Sequence, residues 1–167
     1  MPRIAALSLC FGLLCAASAG AEQAPPEVQA FLDRLKPLAS EEVTLFAVSP
    51  NIMTRVAIDA ESLPSIACEF RAKAGLAGGR ELLRILSDPA PKLDPTPHPV
   101  ELRIGIFAGG VKFDLDDFGA VRPIGAAPLI YSPATGVAIR RLARSANFAP
   151  VDPKSKNCAG SWREMGQ

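Results

Sequence analysis

One histidine, one tryptophan and one tyrosine are all that the 167 residues hold of those three types. A Ser-His-Asp or Cys-His site needs a general base. The only histidine, His98, stands between Pro97 and Pro99 in a stretch that reads as an exposed loop. No G-x-S-x-G elbow is present. Zinc-type sites want three or four ligands at short spacings, and the chain has no C-x-x-C and no clustered histidine. Gly75, Gly78 and Gly79 precede a helical pattern but lack both phosphate-loop spacings, so they read as a connector. Net charge is +1 and aromatics make up 6%, which argues against a nucleic-acid partner. No segment recurs at a fixed period. The reading therefore leans away from an enzyme and expects no cofactor and no metal.

Glycine and proline are plentiful: 13 and 16 residues, against a usual combined share of ~12%. That excess favours short elements joined by stiff turns.

The first 21 residues read as an export signal. Arg3 supplies the cationic start, and 4–19 is an uncharged apolar run ending in small residues. The run is shorter than the ~20 residues a spanning helix needs. Ala19-Gly20-Ala21 fits a cleavage site, leaving Glu22 as the mature start. Leu14 before Cys15 departs from the small residue of a lipoprotein signal. The remainder, 22–167, reads as one domain with no transmembrane segment.

Two cysteines stay in the mature chain, Cys68 and Cys158. In an oxidising compartment an even pair predicts a structural disulfide, the alternative being two buried thiols.

Apolar spacing at Val28, Phe31, Leu32 and Leu35 predicts a helix after Pro26. Strands are expected at 43–48 and 54–59, with a turn at 49–51. Residues 62–74 fit helix or strand, with a strand preferred for 65–71. A helix follows at 80–87. Residues 88–99 carry five prolines and read as an extended surface loop. Alternation over 100–108 through Val100, Leu102, Ile104 and Ile106, then Gly109-Gly110, then Val111, Phe113 and Leu115 predicts a hairpin. A short strand is expected at 128–131. Ser132-Pro133 predicts a helix start, running to about Asn147. Residues 149–167 read as an irregular tail with Trp162 against the core. The fold class is α+β: one two-layer domain, a mainly antiparallel sheet with helices on one face.

Two charged groups are candidate binding features. Asp114, Asp116 and Asp117 resemble a calcium loop only briefly, because Phe118 and Gly125 occupy the fifth and twelfth positions. Asp114 and Asp116 are expected on the solvent face of a strand. Arg140, Arg141 and Arg144 fall on one helix face. Residues 22–119 carry five more acids than bases, and 120–167 carry five more bases than acids. That asymmetry suggests a basic patch for an anionic partner.

The expectation is a small exported, periplasmic or secreted, non-enzymatic protein of the bacterial envelope, binding a protein or an envelope component. Two alternatives are an inhibitor or immunity-type protein acting through the acidic 114–117 loop, and a carboxylate- or metal-dependent envelope hydrolase using those acids.

Overall fold

A computed structural model describes residues 24–49, 52, 57–73, 75–96, 101–117, 119–123 and 128–159. The export segment 1–21, the prolyl-flanked His98, Trp162 and most of the expected 49–51 turn lie outside the described residues. In chain order the elements are α1 (Pro26–Arg34), a 3-10 turn (Lys36–Ala39), β1 (Thr44–Ala47), α2 (Leu63–Ile66), β2 (Cys68–Ala72) and α3 (Ala77–Ser87). Next come β3 (Lys92–Leu93), β4 (Ile104–Ala108), β5 (Val111–Leu115), β6 (Ala120–Pro123) and β7 (Leu129–Ile130). The last are α4 (Pro133–Ala143), β8 (Phe148–Pro150) and α5 (Lys156–Ala159).

The strands form one antiparallel sheet in the order β3-β7-β6-β5-β4-β1-β2-β8. Its centre is the expected hairpin, in which Ile104 faces Leu115 and Ile106 faces Phe113. Gly109 and Gly110 turn it with φ of +52° and +79°, the left-handed pair that a two-residue turn of matching twist requires. In β1, Leu45 and Ala47 stand opposite Ile106 and Ile104, so one face of the sheet is continuously apolar. Against it pack Phe31, Leu35, Leu38, Leu82, Leu86 and Ile139. Phe31 meets both Phe113 and Tyr131 edge-on, and the buried Tyr131 hydroxyl donates to the Leu86 carbonyl at 2.6 Å. Burial pushes the Tyr131 phenol well above its ordinary range.

The helices are not confined to that face. On the other side Phe46 stands opposite Gly105, and α2 lays Leu63 there, where a Cβ on Gly105 would come within 2.7 Å of Leu63 Cδ2. Val48, Ile58, Ala67 and Leu102 complete this second cluster. The turn into α2 is built by Asp59, whose carboxylate accepts the Ser62 N–H at 2.8 Å and the Ser62 hydroxyl at 2.7 Å. Those bonds hold its carboxyl below the usual range. Residues 62–74 thus contain both candidates, a helical turn and then a strand.

Four other expectations are corrected. Of the expected strand 54–59, residues 54–56 lie outside the described residues and 57–59 form no ladder, although Ile58 accepts the Leu102 N–H at 3.1 Å. The proline-rich segment contributes edge strand β3. Strand β6 (Ala120–Pro123), for which no strand was expected, pairs with β5. Helix α4 stops at Ala143, and β8 then joins the sheet beside β2.

Both sheet edges are poor templates for another strand. On β8 the bonds from Val151 N–H to Glu69 and from Lys73 N–H to Asn147 set the register, so the backbone polar groups of Phe148 and Pro150 point away from β2. Pro150 has no N–H, and the Phe148 N–H is taken by Ser145 O at 3.3 Å. At the other end β3 is two residues long and follows Pro91.

Candidate functional site

The acidic segment is a piece of the fold. Asp114 and Asp116 are 4% and 2% exposed, not on a solvated strand face. Strand β5 runs through the middle of the sheet, and Asp114 lies on the side that α2 partly covers. Its Oδ1 would be 3.1 Å from a Cβ at Gly105. Asp116 builds the β5–β6 turn: its carboxylate accepts the Ala120 N–H at 2.8 Å, and its carbonyl accepts the Gly119 N–H at 3.3 Å. Gly119 adopts φ +90°, and a Cβ there would strike the Tyr131 carbonyl at 2.3 Å. Asp117 is the exposed member, with 38% of its side chain accessible. Arg140 Nη2 bonds its Oδ1, and Arg103 Nε lies 3.6 Å from its Oδ2. Arg103 also donates to Glu101 at 2.6 Å and to Ile52 O at 2.9 Å.

The structure therefore joins the two charged groups at one contact and divides the arginines. In α4, Ser132 caps the helix by accepting the Ala134 N–H at 3.3 Å, and Pro133 occupies the first turn. Ile139, Leu142 and Ala143 point into the core. Arg140 flanks that stripe and turns inward to Asp117, 9% exposed. Arg141 and Arg144 point outward with Val137, which is 53% exposed and one turn before Arg141. Among the described residues neither Arg141 nor Arg144 has a side-chain hydrogen bond or ion pair. Some cations elsewhere are engaged, Arg71 pairing with Glu69 at 3.1 Å and the half-buried Lys112 sitting 5.1 Å above the Phe107 ring, whereas among the described residues Lys73, Arg80, Lys92, Lys154 and Lys156 are exposed and, like Arg141 and Arg144, have no side-chain partner.

Arg103 and Glu101 escaped sequence reasoning. Their signal was the alternation Glu101-Leu102-Arg103-Ile104, which put two opposite charges two positions apart at the start of a strand.

Cys68 and Cys158 are bonded, with Cα atoms 4.9 Å apart across 90 positions, tying α5 to β2. The disulfide, Phe70, Phe148 and Arg144 line a small cavity of about 250 Å³. On the other side of the last turn of α4, a groove of about 400 Å³ runs between α3 and α4 and includes Arg141. Gly78 and Gly79 are not a loose connector. A Cβ on Gly79 would lie 1.9 Å from Leu38 O, and one on Gly78 would lie 2.9 Å from Phe148 Cε2. They let α3 seat tightly on its neighbours.

Among the described residues no three His, Cys, Asp or Glu side chains are grouped to hold a metal, and no helix is long and apolar enough to cross a membrane. No protein-family model, curated protein or solved structure matches this chain.

Proposed function

We propose that this is an exported, non-enzymatic binding protein of the bacterial envelope, which meets an anionic macromolecular partner through the outer face of α4. The observation that carries the reading is the contrast within one helix. Arg140 is neutralised by Asp117, whereas Arg141 and Arg144 stand exposed without a carboxylate. Unpaired cations keep their full attraction for an incoming anion. The surroundings add to it: Lys154 and Lys156 lie on the segment after β8, where Asp152 is the one acid among the described residues. The acidic 114–117 segment is less suited to the role, because two of its carboxylates are buried and the third is clasped by arginines.

Export is supported by the leader-like 1–21 sequence and by the bridged cysteines, which persist in oxidising compartments. The N-terminus of the mature protein, read by mass spectrometry, is expected at Glu22; an uncut cytosolic product overturns that part. For binding, the wild type and the R141Q/R144Q variant are compared in capture of envelope components. The partner is expected to be lost with both arginines, and equal recovery by the variant sinks the reading.

A further inference from the structure

The groove between α3 and α4 has the composition of a small-molecule site. Its floor is Ile85, Ala138 and Leu142, and its volume of about 400 Å³ lies within the ~300–1,000 Å³ of typical ligand pockets. On the α3 side the only charges are Glu81 and Arg84, which hold each other through two bonds of 3.0 and 2.7 Å. That pair offers no net charge to a ligand. On the α4 side stand Arg141, Ser145 and Asn147. The Ser145 hydroxyl accepts the Asn147 N–H at 3.2 Å, leaving its own proton to donate. Among the described residues the Asn147 carboxamide and the Arg141 guanidinium have no side-chain partner. Three polar groups with spare donors thus line a groove that has an apolar floor, and the lining carries a net charge of one unit, positive.

We infer that this groove binds a small amphipathic carboxylate, an aliphatic acid of medium chain length. The carboxylate pairs with Arg141, assisted by Ser145 and Asn147, and the chain lies along Ile85, Ala138 and Leu142. The inference rests on the reading of Arg141 as a cation that faces an anionic ligand, and it adds a small-molecule ligand to the macromolecular one. The charge excludes a cationic amphiphile, and the volume excludes a two-chain lipid seated whole.

The test is a titration of the mature protein with decanoate, followed by amide NMR shifts and by calorimetry, with 1-decanol as the uncharged control. Saturable binding is expected, with shifts at α3, α4 and Asn147, and decanol is expected to bind at least about tenfold more weakly. R141Q removes a charged hydrogen bond at an exposed position and is expected to weaken decanoate by at least about tenfold. A138W, checked for folding by circular dichroism, fills the floor and is expected to abolish binding. Absence of saturation, shifts confined to other surfaces, or an R141Q affinity equal to that of the wild type would overturn the inference. If decanoate fails to bind while partner capture still depends on Arg141 and Arg144, the small-acid inference falls and the broader reading stands. If decanoate binding depends on Arg141 while capture ignores both arginines, the small-acid site stands and the macromolecular reading falls.

Discussion

Arg103 and Arg140, 37 positions apart in the chain, close on opposite oxygens of one carboxylate, that of Asp117. Both guanidiniums are about nine-tenths buried, and a charge removed from water needs a partner. Asp117→Asn leaves Arg140 facing a neutral amide and Arg103 with Glu101 as its remaining carboxylate. The expected cost is about 1–3 kcal/mol, below the usual range for a broken buried pair because Asp117 is itself 38% exposed. Urea unfolding measures it. A double-mutant cycle with Arg140→Met is expected to return a coupling of about 1 kcal/mol or more; purely additive effects would show that the contact is incidental.

Gly79 sets two effects against each other. In an exposed helix, Gly→Ala gains about 1 kcal/mol. Here the added Cβ would meet a backbone oxygen, Leu38 O, at 1.9 Å, and backbone cannot swing aside as a side chain does. Overpacking wins: Gly79→Ala is expected to lower stability by at least about 1–3 kcal/mol. A rise in melting temperature would contradict the close seating of α3.

Tyr131 is the only tyrosine, so ultraviolet absorbance near the tyrosinate band reports it alone. Its phenol is buried and its pKa lies above the unfolded value. The stability it contributes is therefore fully present below about pH 10 and is lost as pH climbs from there toward the folded pKa. Tyrosinate is expected only together with unfolding. Tyr131→Phe is expected to cost about 1–3 kcal/mol at neutral pH, through the orphaned Leu86 carbonyl, and to flatten the alkaline fall. Titration of the native protein near pH 10 would refute the burial.

How much of this was legible beforehand follows from where the information sits. The central hairpin was readable because period-2 alternation and Gly109-Gly110 are both local signals. The start of α4 was readable for the same reason, since Ser132 and Pro133 are neighbours of the helix they open. Strands β3 and β8 were not: two- and three-residue strands have no period to detect. They exist because β7 and β2 offer unsatisfied edges. The inward turn of Arg140 was equally hidden. Helical spacing groups it with Arg141 and Arg144, and only the distant β5–β6 turn, folded back by Gly119, brings Asp117 to it. The burial of Asp114 and Asp116 was missed because alternation predicts which face a residue takes, not what covers that face.

The Cys68–Cys158 pairing closes a 90-residue separation. Replacing both by serine is expected to cost about 4–5 kcal/mol by the loop-entropy account. The loss should be accompanied by early release of α5 in hydrogen exchange. Two free thiols on non-reduced, denatured protein from an oxidising host would show that the bridge does not form.

The most direct trial of the account is a binding isotherm of the recovered envelope partner against wild type, R141Q and R144Q at two salt concentrations. Each single variant is predicted to bind about tenfold more weakly, with a shallower salt dependence than the wild type. Affinities and salt slopes that do not change when either arginine is removed would contradict the claim that the outer face of α4 is where this protein meets its partner.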